Sequence, residues 1–272
     1  MSNQPKGTLI IIGGHEDKKG DRAILKEVAR RAKQDSGRIV VITVATQDPE
    51  DVAKDYQKVF SELGVKRVDV LDIRERDEAY NPDNIEKILG ARVVFFTGGD
   101  QLRITSQIGD SDVFKCLREL YHDGGTIVGT SAGAAALPET MLVGGASDES
   151  NRVSALSMAP GLAFARNVVI DSHFAERGRM GRLLGAVVQN PRNLGIGIDE
   201  DTAIVLERDD CFWVEGSGAV YIVDGQNISY SSLSEENPEG VVSIDDVKLH
   251  VLGQGDQFDL HRRRPLRNGH VE

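Results

Sequence analysis

Thr126-Ile127-Val128-Gly129-Thr130-Ser131-Ala132-Gly133-Ala134-Ala135-Ala136-Leu137 carries three structural events in succession. The β-branched run reads as a buried strand, the small residues as a tight turn with serine at its tip, and the alanines as the start of a helix. Strand, sharp turn and helix form the context that a G-x-S-x-G nucleophile elbow requires. A strained turn leaves no room for bulk, and glycine tolerates backbone angles that other residues avoid. Such a turn lifts the serine hydroxyl clear of the sheet edge. It also leaves the Ala132 amide at the helix start, free to donate to an oxyanion. A glycine-rich βα turn without chemistry fits the same five positions, so the motif takes its meaning from the rest of the chain.

Outward from that stretch, residues 8–12, 39–44, 68–73 and 93–96 are further apolar, β-rich runs. Segments with helical spacing and charge, residues 23–33, 51–63 and 113–121, separate them. Near-continuous apolar strands alternating with helices predict a parallel sheet covered on both faces. Ligands bind such sheets beyond the carboxyl ends of the strands. That rim carries Gly13-Gly14-His15-Glu16, Thr97-Gly98-Gly99-Asp100-Gln101 and Ser131. Further on, Val168-Val169-Ile170 leads into Asp171-Ser172-His173-Phe174 and a helix near residues 178–188. From Gly195 the pattern changes to short strands and turns at residues 202–206, 212–214, 220–223 and 247–252, an antiparallel extension. The expected fold is α/β, a mainly parallel sheet flanked by helices with an antiparallel C-terminal extension. We expect one domain over residues 1–272, with a parallel core at 7–194, a β-rich extension at 195–260 and a solvated basic tail at 261–272.

A chain of 272 residues with 40% hydrophobic and 28% charged content has the composition of an ordinary globular protein. Lys and Arg number 32 against 43 Asp and Glu, a net charge of −11. That balance argues against nucleic acid as a partner, which needs a basic face. Cys116 and Cys211 lie far apart and form no C-x-x-C pair, which argues against a metal knuckle and for a reducing compartment. The amino-terminal residues lack the apolar stretch of a signal peptide, and no apolar run approaches the ~20 residues that span a bilayer. Gly13-Gly14 continues into no G-x-G-x-x-G spacing, so a dinucleotide site is not indicated. A cytoplasmic protein with no metal, cofactor or membrane partner is the expectation.

A serine nucleophile needs a base to take its proton and a third group to orient that base. Of six histidines, His15 and His173 follow strands on the functional rim; His122 ends a charged helix, and His250, His261 and His270 fall in the late β region or tail. His173 is the stronger candidate and His15 its rival. For the orienting acid, Gly195-Ile196-Gly197-Ile198-Asp199-Glu200-Asp201-Thr202 offers three carboxylates after an apolar strand, and spacing alone does not choose among them. The order serine, histidine, acid differs from the serine, acid, histidine order of α/β-hydrolases. The Gly98-Gly99 turn can bring a second oxyanion donor close to a ligand. Arg177, Arg179 and Arg182 follow His173, and guanidinium forks suit carboxylates. Asp171, or Asp148 and Glu149 in the polar loop at residues 147–151, are acids able to meet a substrate guanidinium.

Taken together, Thr97-Gly98-Gly99-Asp100-Gln101, Gly129-Thr130-Ser131-Ala132-Gly133-Ala134, Asp171-Ser172-His173-Phe174 with the three arginines, and Gly197-Ile198-Asp199-Glu200-Asp201-Thr202-Ala203 resemble the cyanophycinases. These are serine exopeptidases related to the aspartyl dipeptidase called peptidase E. The resemblance implies a fold similar to class I glutamine amidotransferases, flavodoxin-like in layout, and a homodimer. It implies hydrolysis of cyanophycin, a polyaspartate with arginine on each β-carboxyl, to β-Asp-Arg dipeptides. By the same resemblance Ser131 is the nucleophile, His173 the base and Glu200 the orienting acid, with Gly99 and Ala132 as oxyanion donors. Gln101, Asp171, Ser172, Arg177, Arg179 and Arg182 then line the substrate site. Ser172 departs from the glutamine expected there, and a serine offers neither the reach nor the paired donor and acceptor of an amide. An aspartyl dipeptidase and a non-catalytic amidotransferase-like binding module are the alternatives.

Overall fold

Five short strands, almost all apolar, set the frame: β1 (Thr8–Ile12), β2 (Arg38–Ile42), β3 (Arg67–Leu71), β4 (Val93–Phe96) and β5 (Thr126–Thr130). In the computed structural model, which describes residues 5–34, 37–144, 156–207, 210–234 and 241–267, they pair in parallel in the order β1-β5-β4-β2-β3. β1, β4 and β5 are buried along their whole length, as strands covered on both faces must be.

Helices α1 (Ala23–Ala32) and α2 (Pro49–Glu62) cover one face. Proline at the start of α2 and Glu50 and Asp51 in its first turn favour initiation there. Its inward stripe of Ala53, Tyr56, Val59 and Phe60 packs on Ile10, Ile12, Val41 and Phe95. α3 (Pro82–Leu89), α4 (Gln101–Ile108) and α5 (Asp112–His122) contribute Ile88, Ile104, Ile108 and Leu117 to the core of the other face. Asp100 caps α4 by accepting from the Leu102 amide at 2.8 Å, and Ser111 caps α5 through the Phe114 amide at 3.1 Å.

After the short α6 (Ala132–Ala136) the chain leaves this sheet. β6 (Thr140–Gly144) and β7 (Ser157–Pro160) form a hairpin. β8 (Val168–Ser172), α7 (Met180–Gln189) and β9 (Leu194–Ile198) then make a second parallel unit, with Ser172 opposite Ile198. Of the late strands, β10 (Thr202–Leu206) runs antiparallel onto β1 and β11 (Cys211–Gly216) antiparallel onto β10, whereas β12 (Val220–Asp224) runs antiparallel onto β9. The small pair β13 (Tyr230–Ser231) and β14 (Ile244–Asp245) precedes β15 (Lys248–Leu252) on β12, and β16 (Gln257–Asp259) and β17 (Arg264–Leu266) finish the first sheet.

The expected mainly parallel sheet with antiparallel C-terminal strands is present, and among the described residues it is divided into a nine-stranded and a four-stranded sheet beside two two-stranded pairs. β9 falls just inside the segment expected to be antiparallel, yet it pairs in parallel with β8. In that unit Leu183 and Val187 of the preceding α7 lie so close to Gly195 that a Cβ there would come within 2.8 Å of both. The basic tail is likewise not merely solvated. β17 pairs with β16, and Arg263 donates to Asp224 at 2.6 Å. The loop at residues 147–151, with Asp148 and Glu149, and His270 lie outside the described residues.

Candidate active site

The turn after β5 is as tight as its composition demands. A Cβ on Gly129 would lie 2.5 Å from the Gly133 carbonyl oxygen, and one on Gly133 would lie 2.5 Å from that of Phe96. Ser131 itself takes φ 54° and ψ −113°, a left-handed backbone that a side-chain-bearing residue adopts only under constraint. Its amide donates to the Ile12 carbonyl at 3.1 Å, which ties the turn to β1. The hydroxyl thus projects from the carboxyl end of the sheet.

His173 reaches it from the end of β8, in the other sheet. Ser131 Oγ lies 2.8 Å from His173 Nε2, and His173 Nδ1 lies 2.7 Å from Glu200 Oε1. A carboxylate accepts only, so Nδ1 carries the proton and Nε2 accepts from the serine hydroxyl. Two features of the first loop seat the imidazole. The His173 amide donates to the Gly13 carbonyl at 2.8 Å, and a Cβ on Gly14 would come within 2.3 Å of the ring. Burial pushes the His173 pKa down and outweighs the opposing effect of the hydrogen bond it donates to Glu200, so the ring is neutral and basic near neutral pH.

The three neighbouring acids have separate partners. Asp199 accepts from the amides of Ala175 at 2.9 Å and Ala219 at 3.1 Å, and so fastens two loops. Asp201 accepts from the Asp17 amide at 2.8 Å and the Ser217 hydroxyl at 2.7 Å. Glu200 alone of the three meets the imidazole. His15, the rival base, bonds the same oxygen: its Nδ1 is 2.8 Å from Glu200 Oε1, and its ring meets that of His173 edge-on at 5.0 Å. Burial pushes the Glu200 carboxyl up, but the hydrogen bonds of His15 and His173 together hold it below its ordinary value. His15, His173 and Glu200 are also the one group of three metal-type ligands found among the described residues, their donor atoms within 4.8 Å of one another.

Gly98 lies against the serine, its Cβ position 3.2 Å from Ser131 Cβ, and Gly99 lines the same cleft. Gly99 has φ 141°, and a side chain there would strike the Ala45 carbonyl at 2.1 Å. Gln101 opens α4 and donates from Nε2 to the Leu142 carbonyl at 2.7 Å. Asp171 is buried and already engaged. Arg182 Nε donates to its Oδ2 at 2.8 Å and Arg179 Nη1 to its Oδ1 at 3.0 Å, with a further bond from Arg182 Nη2. Those two arginines are therefore turned onto Asp171, while Arg177 is exposed and lines a cleft of about 640 Å³ with Ser131 and His173. Ser172 is buried beside them. A larger cleft of about 1040 Å³ opens at the amino end of β8 and β9, by His122, Asn167 and Arg192, and none of Ser131, His173 and Glu200 lines it.

Residues 9–214 match the family model of peptidase family S51. The chain belongs to that family. This S51 peptidase is 38% identical over 262 residues to a cyanophycinase of Trichormus variabilis, covering 96% of this chain and 88% of that protein. It is 37% identical over 267 residues to a cyanophycinase of Geminocystis herdmanii, covering 98% of both. The crystal structure of a peptidase from an acI-B1 Actinobacterium superposes with a TM-score of 0.73 at 20% identity, over 95% of this chain and 98% of that one, and so shares its fold.

One feature of this S51 peptidase escaped the sequence reading. Beneath Ser131, Thr130 Oγ1 donates to buried Glu16 at 2.6 Å, and the Tyr56 hydroxyl bonds the other oxygen of the same carboxylate. Glu16 follows two glycines at a strand end, which was the available signal. Tyr56 sits in an apolar helical stripe and reads as core.

Proposed function

We propose that this serine-type peptidase degrades cyanophycin, releasing β-Asp-Arg dipeptides through an acyl-enzyme. The observation that carries the reading is the unbroken hydrogen-bond path from Ser131 through His173 to Glu200 at the mouth of a cleft. Names of relatives similar along nearly the whole chain supply the substrate.

In this catalytic triad, Ser131 Oγ attacks the main-chain carbonyl carbon as His173 Nε2 takes the hydroxyl proton. Glu200 holds the proton on Nδ1 and stabilises the imidazolium that forms. The amides of Gly99 and Ala132 receive the negative oxygen of the tetrahedral intermediate. On collapse, the carbon–nitrogen bond breaks and His173 returns its proton to the leaving amine. Water, deprotonated by the same imidazole, attacks the ester and frees Ser131. Gln101, Ser172 and Arg177 form the substrate wall, and Arg179 and Arg182, turned onto Asp171, stand behind it. Asp171 braces Arg179 and Arg182, since its carboxylate is already satisfied by them. No step calls for a cofactor.

Purified cyanophycin incubated with the protein is expected to yield β-Asp-Arg by mass spectrometry. Ser131→Ala should lower the rate by about 10⁴-fold or more. Equal activity of the variant moves the nucleophile elsewhere, and intact polymer with the wild type discards the substrate. A cytoplasmic setting fits Cys116 and Cys211, neither of which is in a disulfide. The homodimer implied by the resemblance is checked by light scattering in solution.

A further inference from the structure

We infer that Lys18 is a substrate-binding residue whose ammonium holds a carboxylate of the substrate beside the scissile bond. The inference rests on the cyanophycin reading and adds a contact from a loop outside the arginine segment. Lys18 follows β1, whereas Arg177 follows β8, and both line the cleft that contains Ser131.

The charge inventory of that cleft points to an anion. Two carboxylates line it, and each has its own donors. Glu16 accepts from Thr130 and Tyr56. Asp17 accepts from the amides of Lys19 at 2.9 Å, Gly20 at 2.8 Å and Arg22 at 2.9 Å, which closes its own loop. Neither forms a direct ion pair with a cation of the cleft, and among the described residues no ion pair is made by Lys18, Lys19 or Arg177. Three cations, Lys18, Lys19 and Arg177, against two carboxylates leave the lining of this cleft with an excess of positive charge, which within low-dielectric walls favours a substrate carboxylate.

Lys18 is distinguished from a lysine in free solution by its seat. Its Nζ lies 4.1 Å from the centroid of the Tyr56 ring, and the side chain is half-buried. Tyr56 is fixed in turn by Glu16, the carboxylate that also holds Thr130 next to Ser131. The ring face attracts the ammonium and restrains a flexible stem, which lowers the entropy lost on binding. The substrate offers carboxylates of two kinds, one at the carboxyl end of the polymer and one on each β-linked arginine. Either supplies the same chemistry to Lys18.

The experiment uses three short cyanophycin segments: the free acid, its carboxyl-terminal amide, and a version whose arginines are replaced by agmatine. Binding to Ser131→Ala is measured by calorimetry, and kcat and KM are measured with active protein, each with and without Lys18→Met. Methionine keeps the stem volume over Tyr56, and an unchanged rate of Ser131 modification by a neutral fluorophosphonate verifies that the site is intact. Lys18→Met is expected to weaken free-acid binding and raise KM by about 10- to 100-fold, the range of a charge-assisted hydrogen bond, with kcat little changed. The effect should vanish for whichever segment lacks the contacted carboxylate, which identifies the source. An equal effect on all three segments, or a loss in kcat alone, overturns the inference while polymer cleavage by the wild type leaves the cyanophycin reading standing. No binding and no cleavage of any segment by the protein removes both.

Discussion

At the residue scale the unusual arrangement is one carboxylate oxygen shared by two imidazoles. Glu200 Oε1 receives His15 and His173 at 2.8 and 2.7 Å. Activity requires neutral His173, so the acid limb of kcat/KM follows its pKa, which burial sets below the ordinary 6.5. Glu200 opposes that shift, and the electrostatic influence of Arg177 and His15 reinforces it. His15→Gln removes that electrostatic influence on His173 and the competitor for Glu200 Oε1. Both changes favour the imidazolium, so the acid limb should move toward neutral pH relative to wild type. A pH–rate profile of the two proteins reads this directly, and a limb that moves the other way or stays fixed refutes the sharing.

At the scale of elements, the loop between β1 and α1 does more than connect. Its glycines seat the imidazole, His15 reaches Glu200, Glu16 supports the serine turn, and Asp17 folds the loop back on itself. Backbone hydrogen bonds from Gly20, Arg22 and Lys19 lower the Asp17 pKa from 3.8 to about 2. A carboxyl whose folded pKa is depressed stabilises the fold fully above its unfolded value and loses that contribution as pH falls through the folded one. The stability difference between wild type and Asp17→Ala, from urea melts, should therefore be constant above pH 3.8 and shrink toward zero by about pH 2. A difference that persists at the acid end would place the effect of Asp17 in packing instead.

At the scale of the molecule, the candidate site straddles two sheets: Ser131 belongs to the nine-stranded one and His173 to the four-stranded one. Such a site is only as stable as the seam. Here the seam is continuous, because Leu9, Ile11, Phe96 and Ile127 of the first sheet share one core with Ile170, Ile196, Ile198 and Ile222 of the second. Burial of that kind couples the sheets, as each would expose apolar surface if the other left. We therefore expect urea to abolish peptidase activity and far-UV circular dichroism in coincident transitions. Activity lost well before the dichroism would mean that the second sheet opens by itself.

Local chemistry made much of this legible. Thr8–Ile12, Val93–Phe96 and Thr202–Leu206 are strands with the limits their apolar runs suggest, because burial on both faces writes itself into consecutive residues. The serine turn, the histidine after β8 and the acids after β9 were recognisable as strand ends for the same reason. Distances across the chain were not. Whether β9 joins one sheet or another, whether Arg179 and Arg182 face a cleft or clamp Asp171, and which of three adjacent acids meets His173 all depend on partners far away in sequence. By itself the sequence determined the strands of the parallel core, the longer helices and which residues stand on the functional rim, since those follow from neighbours and periodicity. Only the tertiary structure decided which side chains meet, because pairing partners are chosen by the packing of the whole core.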